Sequence, residues 1–150
     1  MRAVIQRVRS ASVKIGEDEI SAIGHGLLVL LGAEETDTAP DIEWLAGKVA
    51  SLRLFADEAG PWNRSVLETG GDVLVVSQFT LFASTKKGTK PSWHRAAKPG
   101  VAEPLCEAFC AQLCTLLPER VKAGRFGAMM TVALENDGPV TLWMDTRQRE

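Results

Sequence analysis

The sequence predicts an α+β fold in which a mostly antiparallel, barrel-like sheet carries two packed helices within a single domain over residues 1–150. Short apolar runs occur near both ends and in the middle of the chain, and two segments between them have helical periodicity. No repeat, low-complexity tract or Pro/Gly/Ser-rich linker divides the sequence. The predicted order is therefore strands, helix, strands, helix, strands.

The first strands are predicted over residues 2–15 and 19–33, joined by a turn at Gly16-Glu17-Asp18. Within the second strand, Gly24-His25-Gly26 predicts a bulge or tight bend before the apolar run Leu27–Leu31.

A helix is predicted to begin at Thr38-Ala39-Pro40-Asp41, because a capping hydroxyl, an early proline and an acid are typical of helix starts. Its predicted buried face consists of Ile42, Leu45, Val49 and Leu52.

The second half of the chain predicts strands at Ser65–Glu68 and Asp72–Phe82, joined by Thr69-Gly70-Gly71. After a helix around residues 102–114, two last strands are predicted at Ala128–Glu135 and Val140–Asp145.

Three cysteines lie on that second helix at intervals of four residues, namely Cys106, Cys110 and Cys114. The outer two thiols would lie about 12 Å apart along the helix axis, too far to share one tetrahedral ion. We therefore favour a buried, reduced stripe beside Leu105, Phe109 and Leu113 over a metal site, and we expect no metal and no cofactor.

Composition excludes several classes of protein. Hydrophobic residues at 45% and charged residues at 24% are values of an ordinary globular chain, not of a disordered one. No apolar run is long enough to span a bilayer, and charge returns too soon after Met1 for a signal peptide. We expect a soluble, cytoplasmic protein without a membrane partner.

The net charge of −2 is unevenly distributed. Residues 83–102 contain five basic residues and no acid, whereas residues 16–82 are strongly acidic. The basic segment predicts either a small phosphate-binding surface or a solvated lysine-rich loop. Its members are Lys86, Lys87, Lys90, Arg95 and Lys98.

Common catalytic motifs are missing from the sequence. It contains no phosphate-binding glycine loop, no GxSxG, no HExxH and no Cys-x-x-Cys, and its two histidines, His25 and His94, have no triad spacing.

Two other segments are unusual. Ser77-Gln78-Phe79-Thr80-Leu81 places polar residues directly after an apolar strand, as either a strand end or a polar pocket. Asn136-Asp137-Gly138-Pro139-Val140-Thr141 is either a plain hairpin turn or a rigid steric element.

Together, these two segments resemble the signature motifs of the D-aminoacyl-tRNA deacylases. The resemblance continues in Ile5-Gln6-Arg7-Val8, Gly26–Gly32 and Gly124-Arg125-Phe126, and Lys90-Pro91-Ser92-Trp93 is similar to the family's Arg-Pro-Ser-Phe. The resemblance covers nearly the whole chain, and only Asp145–Glu150 is expected to be an extension specific to this protein.

The resemblance implies an esterase that cleaves a D-amino acid, or glycine, from the 3′ end of tRNA. It also implies a homodimer in which Gly138 and Pro139 of one subunit, joined by a cis peptide, enter the other subunit's pocket and exclude L side chains. Arg7 would support that loop.

Further roles follow from the same resemblance. The backbone N–H groups of Phe79 and Thr80 would form an oxyanion hole, with the Thr80 hydroxyl as a nucleophile in the competing mechanism. Other substrate contacts would come from Ser77, Gln78, Phe126 and Met130, the last two at the adenosine end. Lys86, Lys87 and Lys90 would contact the tRNA backbone. The alternatives are a non-catalytic dimeric RNA-binding module and an esterase for small molecules.

Overall fold

The computed structural model describes residues 1–150 and contains eight strands and three helices. The strands are β1 (Arg2–Ile15), β2 (Asp18–Ile23), β3 (Gly26–Gly32), β4 (Arg53–Asp57), β5 (Gly60–Ser65), β6 (Asp72–Ser77), β7 (Val121–Ala123) and β8 (Thr131–Asp145). The helices are α1 (Ala39–Ser51), the single turn α2 (Val66–Thr69) and α3 (Pro99–Leu116). A 3₁₀ turn, Phe79–Phe82, follows β6 and is called the 79–82 turn below.

Strand β1 organises the main sheet, because it pairs antiparallel with β2, β3 and β8. Strands β3, β6 and β7 then pair parallel to one another. At the two ends of this order, the Ser21 hydroxyl donates to the Ala123 carbonyl at 2.6 Å and the Lys122 ammonium donates to the Ala22 carbonyl at 2.6 Å. These contacts bring β2 next to β7, so the sheet is nearly closed. The predicted α+β, barrel-like class is confirmed.

Apolar side chains form two cores on opposite faces of the sheet. The larger core contains 23 buried residues, including Leu45 and Val49 of α1 and Phe109 and Leu113 of α3. The smaller one contains 7 residues inside the curved sheet, among them Leu74. Burial on both faces explains why Leu27–Leu31 of β3 and Val73–Val76 of β6 are apolar without alternation. None of the helices combines the length and hydropathy needed to cross a membrane.

Helix α1 begins as predicted. The Thr38 amide donates to the Asp41 carboxylate at 2.9 Å, and Pro40 occupies the first turn. Burial raises the pKa of Asp41, but hydrogen bonds from Thr146 and Thr38 outweigh it, so the pKa lies below its usual value. Leu52, predicted on the buried face, is the half-exposed residue that ends the helix.

Several predicted boundaries are wrong. Ser65–Glu68 is the end of β5 followed by α2, because Ser65 and Glu68 form a reciprocal capping box. Strand β6 ends at Ser77 rather than at Phe82. The two last strands are one irregular strand, β8, since pairing with β1 continues on both sides of residue 136.

The predicted cysteine stripe is only partly buried. Cys106 and Cys110 are half-buried and Cys114 is exposed, because the buried line of α3 runs through Ala102, Phe109 and Leu113 instead. All three thiols are free, and no group of ligating side chains in the chain could hold a metal ion.

Candidate active site

An apolar cavity of about 560 Å³ opens where the carboxyl ends of β3 and β6 meet the start of α3. One wall is formed by Leu31–Ala33, the end of β6 and the first residue of the 79–82 turn. The opposite wall is formed by the segment between β7 and β8 and by the first turns of α3. The structure therefore brings together five residues that the sequence predicts in the site: Ser77, Gln78, Phe79, Phe126 and Met130.

The 79–82 turn presents two unpaired backbone donors. Its internal hydrogen bonds begin with the Leu81 amide, which donates to the Gln78 carbonyl at 3.2 Å. The N–H groups of Phe79 and Thr80 precede that bond and donate no hydrogen bond within the chain. Two consecutive free amides beside a cavity are suited to binding an oxyanion.

The Thr80 hydroxyl accepts a short hydrogen bond from the side-chain amide of Gln78. An amide N–H is a donor and has no lone pair that could take the hydroxyl proton. No imidazole or carboxylate contacts this hydroxyl. The surroundings of Thr80 therefore provide no general base.

Gly32 allows the 79–82 turn to lie directly against β3. A Cβ atom at this position would come within 2.9 Å of the Gln78 carbonyl oxygen and 3.1 Å of the Phe82 ring. Any larger residue would push the turn away from the strand. The position of the free amides thus depends on the absence of a side chain at residue 32.

Arg2 holds the same turn from β1. Its guanidinium donates to the Leu81 carbonyl at 3.0 Å, pairs with the Asp145 carboxylate at 2.9 Å, and lies between the rings of Phe82 and Trp143 at 4.6 and 5.0 Å. Burial raises the pKa of Asp145, but the Arg147 amide and Arg2 outweigh it and lower that pKa overall. Arg2 and Asp145 were not among the predicted site residues.

Arg7, five residues along β1, holds the loop that contains Gly138 and Pro139. It pairs with the Asp137 carboxylate at 2.9 Å and donates to the Asp137 carbonyl at 3.2 Å. The Gly138–Pro139 peptide is cis, in agreement with the expectation, and both residues are exposed. Neither residue lines the cavity of its own chain.

The basic segment reaches the cavity through Trp93, Ala96 and Ala97, which line it, whereas none of its basic residues does. Lys86, Lys87 and Lys90 are exposed and form no ion pair, whereas Arg95 is paired with Glu34 at 2.8 Å. The segment is fixed by paired hydrogen bonds between Ser84 and Ser92 at 2.7 and 3.1 Å.

Comparison with known proteins identifies the family of this chain. A family model described as "D-Tyr-tRNA(Tyr) deacylase" matches residues 4–145. The chain belongs to this family.

Curated relatives agree with the family match. The chain is 59% identical to a D-aminoacyl-tRNA deacylase of Opitutus terrae and 56% identical to one of Dechloromonas aromatica, in each case over the full length of both proteins. The predicted family is confirmed. These matches include residues 145–150, so the expectation that this segment is an extension specific to this protein is wrong.

Solved structures agree in fold. A structure described as "c-Myc DNA Unwinding Element Binding Protein" superposes with a TM-score of 0.91 at 46% identity, covering 97% of this chain and 98% of the other. One described as a probable eukaryotic D-amino acid tRNA deacylase gives a TM-score of 0.82 at 20% identity, covering 95% and 97%. The second likeness supports the fold alone.

Sequence reasoning missed part of the cavity wall, including Ala97, Cys106 and Met129. Burial raises the pKa of the Cys106 thiol to about 12, so this wall stays uncharged at neutral pH. Cys106 reaches the cavity because α3 packs on β3, Ala97 because its amide pairs with the Ala33 carbonyl, and Met129 from the segment between β7 and β8; no spacing in the sequence indicates these contacts.

Proposed function

We propose that this member of the deacylase family hydrolyses the ester between a D-amino acid and the 3′ end of tRNA in the cavity described above, with all 150 residues acting as one domain. The observation that carries the proposal is the pair of free amides at Phe79 and Thr80 beside a cavity that also contains Phe126 and Met130. The curated relatives are named for this activity.

The two amides would stabilise the oxyanion that forms when water attacks the ester carbonyl. Removing one such donor from a hydrolase typically slows the reaction by about 10²–10³-fold. An aminoacyl ester is already activated, and the ribose 2′-hydroxyl of the terminal adenosine would orient the attacking water. The protein then needs neither a catalytic triad nor a metal ion for this step.

A covalent mechanism through Thr80 is less well supported, because its hydroxyl faces an amide donor instead of a base. Thr80→Ala removes the hydroxyl and keeps the backbone N–H. We expect this variant to retain most of the single-turnover rate on D-aminoacyl-tRNA. A loss of several orders of magnitude would instead identify Thr80 as the nucleophile.

Discrimination against L-amino acids would come from a second copy of the chain. Gly138 and Pro139 are exposed and lie outside their own cavity, while Arg7 fixes the loop that carries them. In a homodimer, this pair would enter the partner's cavity and collide with an L side chain. Glycine has no side chain to exclude, so glycyl-tRNA would also be a substrate.

The lysines of the basic segment, which follows the 79–82 turn and contributes Trp93 to the cavity, would bind phosphates of the tRNA acceptor end. Lys86, Lys87 and Lys90 have no acidic partner within the chain, so their charges remain available. Contacts of this kind position the RNA without reading its sequence.

The decisive experiment compares hydrolysis of D- and L-aminoacyl-tRNA carrying the same amino acid at matched enzyme concentration. We expect turnover of the D form and almost none of the L form. A simple alkyl ester without RNA serves as the control, and rapid hydrolysis of that ester would contradict the proposal. Equal rates on both enantiomers would contradict the role of Gly138 and Pro139.

A second candidate function is a non-catalytic, dimeric RNA-binding module. It is favoured by the basic segment and by the 46% identical solved structure, which is named for binding a DNA element. Tight binding of tRNA without release of the amino acid would support this alternative.

A further inference from the structure

We propose that Trp93 is a stacking platform for the nucleotide base that precedes the terminal adenosine of the RNA. This inference rests on the proposed function for the position of the terminal adenosine. Trp93 lies at the rim of the cavity and keeps 39% of its surface exposed. An indole ring left in solvent at the entrance of a substrate cavity is available to a ligand.

The ring is held in place before any ligand arrives. Its plane meets the Phe79 ring at 72°, with the ring centroids 5.7 Å apart. The backbone is fixed just before Trp93 by the hydrogen bonds between Ser84 and Ser92, and after it by the Ala97 amide, which donates to the Ala33 carbonyl at 2.8 Å. A rigid aromatic ring loses little conformational entropy when a base stacks on it.

The path of the RNA leads past this ring. In the proposed function the terminal adenosine occupies the end of the cavity formed by Phe126 and Met130. The preceding nucleotide must then leave through the mouth, where the exposed rings of Phe79 and Trp93 lie. Every base has a π-face, so such a platform binds single strands without reading sequence.

Charge around Trp93 favours RNA over an apolar protein partner. Residues 83–98 contain five bases and no acid, and only Arg95 among them is in an ion pair. Aromatic rings interleaved with unpaired positive charges are typical of surfaces that bind single-stranded nucleic acid.

The test combines a protein change with a substrate change. Trp93→Ala removes the ring, and an abasic site in place of the penultimate nucleotide removes the base. Each change alone is expected to raise KM for D-aminoacyl-tRNA by about 5- to 100-fold, with kcat within about threefold. Together they should raise KM no further than either alone, because both remove the same contact. Trp93→Phe should restore most of the affinity.

Leu67→Ala is the matched control, since Leu67 is also an exposed apolar residue, 47% accessible, but lies on α2 outside the cavity. Leu67→Ala should leave KM unchanged both for the intact D-aminoacyl-tRNA and for the substrate with the abasic site. Independent effects of Trp93→Ala and the abasic site, or no effect of the abasic site on the unmodified enzyme, would overturn the inference.

A binding measurement separates this inference from the proposed function. Uncharged RNA ending in a single-stranded 3′ segment should quench the tryptophan fluorescence of the protein, and Trp93→Phe should abolish that quenching. Trp93-dependent quenching by uncharged RNA, together with no hydrolysis of D-aminoacyl-tRNA in a separate assay, would refute the proposed function while supporting the platform. Hydrolysis without Trp93-dependent quenching would refute the platform alone.

Discussion

Two arginines on β1 hold two different loops by the same set of contacts. Arg2 and Arg7 each pair with an aspartate at 2.9 Å, each donate to at least one backbone carbonyl, and each lie against two aromatic rings. Arg2 holds the 79–82 turn beside the cavity, whereas Arg7 holds the exposed loop at Gly138 and Pro139.

The two arrangements differ in burial. Asp145, the partner of Arg2, has 9% of its side chain exposed, and the rings around Arg2 lie at 4.6 and 5.0 Å. Asp137, the partner of Arg7, is 29% exposed, and the rings lie at 6.0 and 5.7 Å. The arginines are similarly buried, with 16% of the Arg2 and 13% of the Arg7 side chain exposed, so the difference lies in the carboxylate that loss of the arginine would leave unpaired. Loss of Arg2 is therefore expected to cost more unfolding free energy than loss of Arg7.

Arg2→Ala is expected to have the largest effect. It leaves Asp145 buried without its partner, which costs about 3 kcal/mol of unfolding free energy in urea titrations. Movement of the free amides should also lower kcat by about 100-fold. Arg2→Met combined with Asp145→Leu removes both charges and should recover the stability but not the rate. Recovery of the rate as well would show that Arg2 does not position the turn.

Arg7→Ala should destabilise the protein by about 2 kcal/mol, because its partner Asp137 is more accessible to water. Its distinctive effect should be on selectivity: a loosened Gly138–Pro139 loop would allow hydrolysis of L-aminoacyl-tRNA to rise relative to the D form. Arg2→Ala should slow hydrolysis without changing the D/L ratio. If both variants change the D/L ratio equally, Arg7 has no special role in selectivity.

Asp145→Asn tests the Arg2 arrangement through pH. The pKa of Asp145 in the folded protein lies below the ordinary value of 3.8, so its carboxylate stabilises the fold above that pH. This contribution disappears as the pH falls through the folded-state pKa. We expect the variant to be about 1.5 kcal/mol less stable than the parent at pH 7 and equally stable in strong acid. Thermal unfolding across this range measures the difference, and a gap independent of pH would contradict the assignment.

Arg9→Ala should have the smallest effect. Arg9 is also on β1 and faces Asp137 and Glu135, but both separations are 3.6 Å and its side chain is 67% exposed. Exposed pairs of this kind contribute less than about 1 kcal/mol. A change in stability or D/L ratio as large as that of Arg7→Ala would mean that net charge, rather than the fixed geometry of Arg7, holds the loop.

Local signals in the sequence were sufficient for some elements. The start of α1 was predictable because Thr38, Pro40 and Asp41 act within one helical turn. Ser65 and Glu68 carry the same kind of signal for α2, yet the β-branched Val66 beside them favoured a strand assignment. Hairpin β4–β5 escaped prediction because its strands are short, largely exposed and contain Pro61.

The site was predictable only where a contiguous motif carries it. Ser77, Gln78 and Phe79, which line the cavity, were identified in this way through the family resemblance, whereas Thr80, Gly138 and Pro139 lie outside its lining and their roles stay predictions. Arg2 was not identified, because its contacts with Leu81 and Asp145 join residues 79 and 143 positions away. The cavity residues of α3 were missed for the same physical reason, since packing between distant elements determines them.

The close approach at Gly32 limits how this site can be redesigned. A Cβ at residue 32 would lie 2.9 Å from the Gln78 carbonyl oxygen, so any side chain at this position would displace the 79–82 turn. The opposite wall has room to vary, since Met129 is 91% exposed and the Phe126–Met130 segment lies outside the regular strands. Changes to this cavity should therefore keep residue 32 fixed and be made first at Ala128 and Met129, which leaves Phe126 and Met130 in place and avoids Gly127, whose φ of +73° disfavours a side chain.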